Sequence, residues 1–174
     1  MNRIAKFEKV SFEQFKKDWI DTFDEEYPIE IIKGIYNALQ LPKRATKGSA
    51  GYDFTAPIVI EIKPNETVKI PTGIRCKMED GWVLKEYPRS GYGFKTGIHM
   101  ANTVGIIDAD YYFSDNEGHI FIKLVNDSIL AKEVTIKQGE AFCQGIFVPF
   151  GITIDDNVTE VRNGGFGSTS KKED

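Results

Sequence analysis

Short apolar runs separated by turn signals fill the chain after Pro28, and this alternation limits the fold more than any other feature. Turn signals at Lys63–Glu66, Pro71–Gly73 and Glu79–Gly81 lie at the spacing of about 8 to 12 residues that is typical of β-sandwiches and barrels. The sequence therefore predicts an all-β domain, either a barrel or a jelly-roll-like fold. The runs interpreted as strands are IEIIKGI, IVIEI, TVKI, GIRCKM, WVLKEY, HIFIKLV, VTI and FCQGIFVPF.

Before Pro28 the periodicity is that of a helix. Ser11 followed by Gln14 matches a capping box at its start, and Val10 can pack on Phe15 as a hydrophobic staple. The sequence therefore predicts an N-terminal helical extension over residues 1–27. This helix packs against the body of the protein or a neighbouring subunit, or it binds a partner protein. The aromatic residues at helical steps of three or four are Phe12, Phe15, Trp19 and Phe23.

Composition restricts the function. The chain has 174 residues with 41% hydrophobic content, which is enough for one buried core and indicates a single domain. Its 22 basic and 26 acidic residues give a net charge of -4, which argues against a broad surface for binding nucleic acid. The chain has neither a secretory signal nor an apolar run of about 20 residues, so we expect it to be soluble and cytoplasmic, with no membrane contact.

The cysteines and histidines are too scattered to form a metal or redox centre by themselves. Cys76 and Cys143 form no C-x-x-C pair, and we interpret both as small apolar residues on strands. His99 and His119 have none of the spacings of a zinc site. A metal site based on histidine would therefore have to recruit carboxylates from elsewhere in the chain.

Five glycine-punctuated segments interrupt the predicted strands. Taken singly, each is explained by the turns that an all-β protein needs. Together they supply arginine, hydroxyl and carboxylate groups beside glycine-rich backbone, and this combination suits the binding of a polyphosphate. The segments are SAGYDFTA (49–56), PRSGYGFKTGI (88–98), ANTVGIIDADY (101–111), GEAFCQGI (139–146) and RNGGFGSTS (162–170).

In order and spacing, these segments resemble the five motifs of the trimeric dUTPase family over about residues 29–170. The resemblance implies a jelly-roll-like β-barrel of the dUTPase type over residues 28–161, followed by a flexible glycine-rich arm over residues 162–174. It also implies a homotrimer that uses Mg²⁺ to hydrolyse dUTP to dUMP and pyrophosphate at sites shared between subunits. Other nucleotide folds fit worse, because the chain has no G-x-x-x-x-G-K-[ST] motif.

The resemblance assigns the chemistry to Asp108. This residue aligns with the general base that directs a water at the α-phosphorus, and a positioned base contributes typically 10²–10⁴-fold. Tyr111 resembles the tyrosine that lies against the deoxyribose and excludes a 2′-hydroxyl. Asn102, Gly105 and Ile107 belong to a segment that corresponds to the family's uracil-binding hairpin. Backbone groups in a closed hairpin reject cytosine, because the mismatch leaves buried polar groups unpaired.

The resemblance also assigns the residues that contact the phosphate chain and the metal. Arg89, Ser90 and Gly91 resemble the motif that contacts the phosphates, and arginine offers paired donors to phosphate oxygens. Gln144 aligns with a glutamine near the α-phosphate. Asp53 aligns with an aspartate that contacts the waters of Mg²⁺, an ion that needs no cage of protein ligands. A structural alternative stays open for Asp53, which follows Gly51 and could be a turn residue.

The arm is assigned to closure of the site. By resemblance, Phe166 stacks on the uracil, and Arg162 reaches the γ-phosphate with the hydroxyls of Ser168 and Thr169, which follow Gly167. The arm departs from the family pattern, because only Asn163 separates Arg162 from the following glycines. Closing such an arm would exclude water from the reaction.

Two further segments depart from the family pattern. YFSDNEG (112–118) is longer than the family's short turn, and the N-terminal helix precedes the usual start of the fold. Either segment could bind or regulate a partner protein in addition to catalysis. A related enzyme class, the dCTP deaminases, shares the fold but lacks the glycine-rich arm and the D-x-D-Y pairing, and it is the alternative activity.

Overall fold

The protein is described by a computed structural model that covers residues 2–23, 27–160 and 162. Antiparallel strands make up most of the regular secondary structure among these residues, and the prediction of an all-β class is confirmed. The helices are α1 (Phe12–Phe23), α2 (Ile29–Ala38) and α3 (Ser90–Thr96), with a 3₁₀ helix at Ala109–Phe113. The strands are β1 (Ala5–Lys9), β2 (Lys43–Arg44), β3 (Tyr52–Thr55), β4 (Ile60–Ile62), β5 (Glu66–Pro71), β6 (Ile74–Met78), β7 (Trp82–Pro88), β8 (His99–Met100), β9 (Gly105–Asp108), β10 (Phe121–Asn126), β11 (Val134–Ile136) and β12 (Ala141–Pro149).

The described strands pair across long stretches of sequence. The largest sheet has the order β2-β3-β12-β7-β9, and a second has the order β5-β10-β8. The remaining pairs are β1 with β6 and β4 with β11. Because β12 lies between β3 and β7, residues late in the sequence of the barrel lie beside two motifs from earlier in the chain.

Period-two alternation explains the core of the barrel. Ile60 and Ile62 of β4 are buried on either side of the exposed Glu61, and β10 buries Ile122 and Leu124 in the same way. Full burial of such a side chain contributes about 1.5–3 kcal/mol. The alternating sequence of these strands therefore identifies which face of each strand is buried.

The segment IEIIKGI is a helix, so its interpretation as a strand is wrong. Ile32, Ile35, Tyr36 and Leu39 recur at steps of three and four, and they form one cluster with residues of α1. Ile32 is 1% exposed. The preference of isoleucine for strands depends on context, and here the burial of this stripe against α1 outweighs it.

The predicted N-terminal helix is confirmed, but only half of its capping box forms. Gln14 N donates to Ser11 Oγ at 3.1 Å, as expected of a helix cap. The reciprocal bond is absent, because the Gln14 side chain donates to Asp18 Oδ2 at 2.9 Å. Ser11 N donates to Glu117 instead, at 2.7 Å. The start of α1 is therefore tied to a distant segment of the chain.

A second hydrophobic cluster joins α1 and α2 to the barrel. Val10 and Phe15, the predicted staple, are fully buried in it together with Trp19. Ile58 contacts this cluster and the barrel core. The helix therefore packs against the body of the protein, and the division of the chain at residues 27 and 161 stays a prediction.

Both cysteines lie where the sequence predicts them. Cys76 on β6 and Cys143 on β12 are buried and free of disulfides. Burial raises the pKa of the Cys76 thiol to about 12, so it behaves as an inert apolar group. Among the helices of the described residues, none is long and apolar enough to cross a membrane.

Candidate active site

One group of predicted site residues meets where β3, β12 and β7 lie side by side. Gln144 on β12 is opposite Asp53 on β3 and opposite Tyr87 on β7. Arg89 follows β7, and its Nε lies 3.5 Å from Asp53 Oδ1. We refer to Asp53, Arg89 and Gln144 as the Arg89 cluster. The Arg89 side chain is 44% exposed, so it can contact an anion from solvent.

Gly51 allows Gln144 to lie against the backbone that precedes β3. A Cβ at Gly51 would be 2.4 Å from Gln144 Oε1, closer than real side chains approach. Gln144 Nε2 lies 3.5 Å from Pro88 O on the other side. A larger residue at Gly51 would therefore displace the carboxamide of Gln144, which gives the glycine of the SAGYDFTA segment a packing role.

Ser90 and Gly91 are the first residues of α3, a helix that the sequence analysis did not predict. Arg89 N donates to Phe142 O at 3.0 Å, and Tyr92 N donates to Arg89 O at 3.0 Å. These bonds fix the backbone on both sides of Arg89. Ser90 and Gly91 are exposed, so both are accessible to a ligand.

The predicted hairpin that carries Asn102 is not a ladder of two paired strands. β8 pairs with β10, whereas β9 pairs with β7, so residues 101–104 connect two different sheets. A tight turn forms there, with Thr103 at φ 65° and Thr103 N donating to Met100 O at 3.0 Å. Asn102 is exposed at this turn, and Ile107 follows on β9, partly buried.

Gly105 is buried against Glu86, its partner on β7. A Cβ at Gly105 would be 2.9 Å from Glu86 Oε2. Glu86 is 1% exposed, and within the described part of the chain its Oε1 has no hydrogen-bond partner. Burial raises the pKa of Glu86 to about 8. Sequence reasoning missed Glu86, although the alternation of β7 puts it on the same face as the buried Leu84.

Asp108 is the last residue of β9, and its side chain is 43% exposed. The 3₁₀ helix that follows carries Asp110 and Tyr111. Arg162 forms an ion pair with Asp108, and its Nε donates to Asp110 Oδ1 at 2.9 Å. In this chain Arg162 therefore binds both carboxylates of the D-x-D-Y motif, and its contact with a γ-phosphate stays a prediction.

Tyr111 is held rigidly, three residues after Asp108. The residue is 5% exposed, and burial raises its pKa. Its hydroxyl donates to His119 O at 2.7 Å and accepts from Asn116 Nδ2 at 2.8 Å. The contact of Tyr111 with a deoxyribose stays a prediction, but its ring has a defined position before any ligand binds.

Asp108 and the Arg89 cluster lie at opposite ends of β7 within one chain. Asp108 pairs with Val83 at one end of the strand, whereas Gln144 pairs with Tyr87 at the other. Four residues of strand separate the two positions, which is roughly 13 Å at about 3.3 Å per residue. The two groups are therefore not neighbours within a single chain.

Comparison with known families decides what these segments belong to. The family model for dUTPase matches residues 37–170, which include Asp53, Asp108 and Gln144. The chain belongs to the dUTPase family. The resemblance inferred from the five glycine-punctuated segments is thereby confirmed, and the dCTP deaminase alternative is not favoured.

Curated dUTPases are similar to this chain over most of its length. The deoxyuridine 5′-triphosphate nucleotidohydrolase of Lactococcus lactis is 43% identical over 144 residues, which covers 80% of this chain and 95% of the relative. The enzyme of the same name from Actinobacillus pleuropneumoniae is 38% identical over 157 residues, which covers 85% of this chain and 99% of the relative.

Solved dUTPase structures share the fold. The dUTPase from Streptococcus mutans matches with a TM-score of 0.59 at 41% identity, covering 67% of this chain and 89% of that chain. The dUTPase from phage phi11 of Staphylococcus aureus matches with a TM-score of 0.62 at 20% identity, covering 91% and 97%. The second likeness supports the fold alone. The predicted jelly-roll-like barrel of the dUTPase type is confirmed.

Oxygen ligands suited to Mg²⁺ are present in the Arg89 cluster of this dUTPase. Among the described residues, no three His, Cys, Asp or Glu side chains group closely enough to hold a metal ion. Asp53 and Gln144 present a carboxylate and a carboxamide oxygen on neighbouring strands. Mg²⁺ keeps several waters and is held by few carboxylates together with substrate phosphates, so this donor set fits it.

The predicted arm of the dUTPase begins at Arg162, the last described residue. Its remaining predicted site residues lie outside the described residues, and these are Phe166, Gly167, Ser168 and Thr169.

Proposed function

We propose that this chain hydrolyses dUTP to dUMP and pyrophosphate, with Asp108 as the general base. The observation that carries the proposal is the partly exposed carboxylate of Asp108 at the end of β9, three residues before the rigid Tyr111. The carboxylate accepts a proton from a water as the water oxygen bonds to the α-phosphorus. The bond from the α-phosphorus to its bridging oxygen breaks, and pyrophosphate leaves.

The phosphate chain is bound by Arg89, Ser90, Gly91 and Gln144 in this proposal. The exposed guanidinium of Arg89 supports it, because a backbone fixed on both sides aims that side chain outward. Arginine presents several donors in a planar fork, which matches phosphate oxygens. The Gln144 carboxamide, held against Gly51, contacts the α-phosphate.

The nucleoside is recognised by the turn at Asn102 and by β9 in this proposal. Backbone groups from Asn102 to Ile107 contact the uracil edge, and Gly105 keeps that backbone close to Glu86. Tyr111 packs against the deoxyribose. The arm closes the site through Arg162 and through its distal residues Phe166, Gly167, Ser168 and Thr169.

We propose a homotrimer with shared sites, and the separation of Asp108 from the Arg89 cluster along β7 supports it. The Arg89 cluster of one chain faces Asp108 of a neighbour, and the arm of the third chain closes the site. Mixed trimers of Asp108→Asn and Arg89→Ala chains test this, since they regain activity only if one site draws on two chains. Inactive mixed trimers of verified composition would contradict it.

We propose Mg²⁺ as the cofactor, held through its waters by Asp53 near Gln144. When bound, the ion neutralises charge on the phosphate chain and favours departure of pyrophosphate. The protein's own part is to orient the phosphates with Arg89 and to hold the carboxylate of Asp53 beside them. Calorimetric titration of MgCl₂ with an unhydrolysable dUTP analogue, for wild type and Asp53→Ala, measures this contribution.

We also propose a cytoplasmic location and an added protein-binding surface. The free cysteines fit a reducing compartment, and cell fractionation tests the location. Residues 112–118 and the N-terminal helix α1 expose Phe113 and Ile20 at 74% and 43%. Apolar groups at such exposure suit a protein partner. A pull-down that recovers the same proteins with wild type and with Ile20→Ser/Phe113→Ser would contradict this role.

A substrate panel tests the activity itself. Rates of pyrophosphate release from dUTP, dTTP, dCTP and UTP, with and without Mg²⁺, should show hydrolysis of dUTP alone at an appreciable rate. Ammonia release from dCTP is the signature of the deaminase class and should be absent. Equal rates of pyrophosphate release from all four nucleotides would contradict the proposal.

A further inference from the structure

The segment that follows Tyr111 is attached to the N-terminal helix. Ser11 caps α1, and its N and Oγ donate to the two carboxylate oxygens of Glu117 at 2.7 and 2.6 Å. Tyr112 OH donates to Glu8 Oε2 of β1 at 2.7 Å. The two segments that depart from the family pattern therefore contact each other, next to the candidate base Asp108.

His119 is the buried centre of this attachment. Gly73 N donates to His119 Nε2 at 2.7 Å, so that nitrogen carries no proton. The proton is on Nδ1, which donates to Asp18 Oδ2 at 2.5 Å. Gln14 Nε2 donates to the same oxygen at 2.9 Å. The neutral ring is thus fixed between α1 on one side and the turn before β6 on the other.

The position of Tyr111 depends on His119. The Tyr111 hydroxyl donates to the His119 backbone oxygen, and Asn116 supports it from the intervening turn. That turn has little freedom, because Glu117 and Gly118 have φ values of 58° and 69°. A Cβ at Gly118 would lie 2.7 Å from Tyr111 O, so only glycine fits there.

We propose that α1 positions Tyr111 through His119, which makes Asp18 and His119 positioning residues for the selection of deoxyribose over ribose. This inference rests on the proposed contact of Tyr111 with the sugar. Without the Asp18 carboxylate, the Nδ1 proton of His119 loses its buried acceptor and the ring turns. Residue 119 is then no longer tied to α1, so its backbone carbonyl can shift, the Tyr111 hydroxyl loses a fixed anchor, and space for a 2′-hydroxyl opens.

Steady-state kinetics with dUTP and UTP test the proposal in the full-length protein. Asp18→Ala should raise KM for dUTP and lower the ratio of kcat/KM for dUTP over UTP by about tenfold to hundredfold, the size of effect that a misplacement of about 1 Å produces. Asp18→Asn keeps an oxygen acceptor for His119 and should restore most of the ratio. Asp21→Ala removes an exposed carboxylate from the same helix and is the matched control.

A merely structural role predicts a different result. Partial unfolding lowers kcat for both nucleotides equally and leaves KM and the dUTP/UTP ratio unchanged, and this outcome overturns the proposal. If Asp18→Ala does not assemble, Glu117→Ala removes the more exposed attachment to α1 and should lower the ratio in the same direction. An unchanged ratio in that variant is equally decisive. Wild-type protein that fails to hydrolyse dUTP would instead refute the proposed function.

Discussion

The guanidinium of Arg89 lies 3.5 Å from its carboxylate partner in a side chain that is 44% exposed, whereas His119 is fully buried with partners at 2.5 and 2.7 Å. Arg89 lies in a motif assigned to the substrate, and His119 anchors Tyr111, which lies in another. The Arg89 cluster leaves its charge available, since an exposed ion pair is worth only about 0–1 kcal/mol and yields to a phosphate. The side chains of His119 and Tyr111 have their polar atoms paired internally and so define a shape.

Under the proposed roles, this difference means that binding strength and selectivity are built in separate places. A site that must hold a triphosphate needs donors that are free to move onto it. A site that must exclude one hydroxyl needs a wall that does not move. Substitutions should therefore affect activity at the exposed groups and stability or selectivity at the buried ones.

The largest expected effect is on turnover, at the exposed end of β9. Asp108→Asn removes the base while keeping the shape of the side chain, so kcat should fall by about 10²–10⁴-fold. Nucleotide affinity and trimer formation should be retained, as measured by calorimetry and sedimentation. Asp110→Asn is the matched control, because Asp110 contacts the same arginine. Full activity in Asp108→Asn would contradict the assignment of the base.

The second effect concerns Glu86, a buried carboxyl whose Oε1 has no hydrogen-bond partner among the described residues. It contrasts with His119, which is buried with both ring nitrogens paired. Glu86 has a folded pKa of about 8 against an ordinary value of 4.5, so between these pH values the folded chain retains a proton that the unfolded chain has lost. The free energy of unfolding should therefore fall as pH rises through this window, by up to about 1.4 kcal/mol per pH unit.

Urea unfolding at pH 5 and pH 8 measures this dependence. Glu86→Gln keeps the shape without the ionisation, so its stability should lose most of the decline with rising pH. Glu61→Gln, at an exposed position of β4, should retain the wild-type dependence. Equal slopes in wild type and Glu86→Gln would show that the buried carboxyl does not titrate in this window.

The smallest of these effects is expected at Arg89, and it concerns kcat/KM. A loss of stability instead would contradict the comparison between the exposed and the buried groups. Arg89→Ala should lower kcat/KM by roughly tenfold to hundredfold, because hydrogen bonds to charged groups contribute about 1.5–3 kcal/mol. The free energy of unfolding should change by less than about 1 kcal/mol, since the Arg89 side of the ion pair with Asp53 is 44% exposed. Lys95→Ala removes an exposed cation from α3 and should change neither quantity.

Much of the barrel could be predicted because its strands alternate. VTI is β11 residue for residue, and FCQGIFVPF and WVLKEY correspond closely to β12 and β7. The strand prediction for IEIIKGI is wrong because isoleucine-rich runs suit both helix and strand, and here the stripe at steps of three and four packs against α1. The helix α3 was missed because SGYGFKT is short and glycine-rich, and backbone bonds around Arg89 determine it.

The candidate site was predictable only where the family motif carries it. Asp108, Arg89 and Gln144 follow from the order of the glycine-punctuated segments, and the family match covers all of them. The pair of Asp18 and His119 did not follow, because the two residues are 101 positions apart and neither lies in a motif. Such contacts are set by tertiary packing, and no local pattern reports them.

The opposite ends of β7 have a consequence for the cell that carries this protein. Under the proposed trimer, a chain that holds its base and its phosphate ligands at opposite ends of one strand is inert by itself. Catalysis then begins only above the concentration at which chains associate, and newly made protein is inactive until it assembles with other copies.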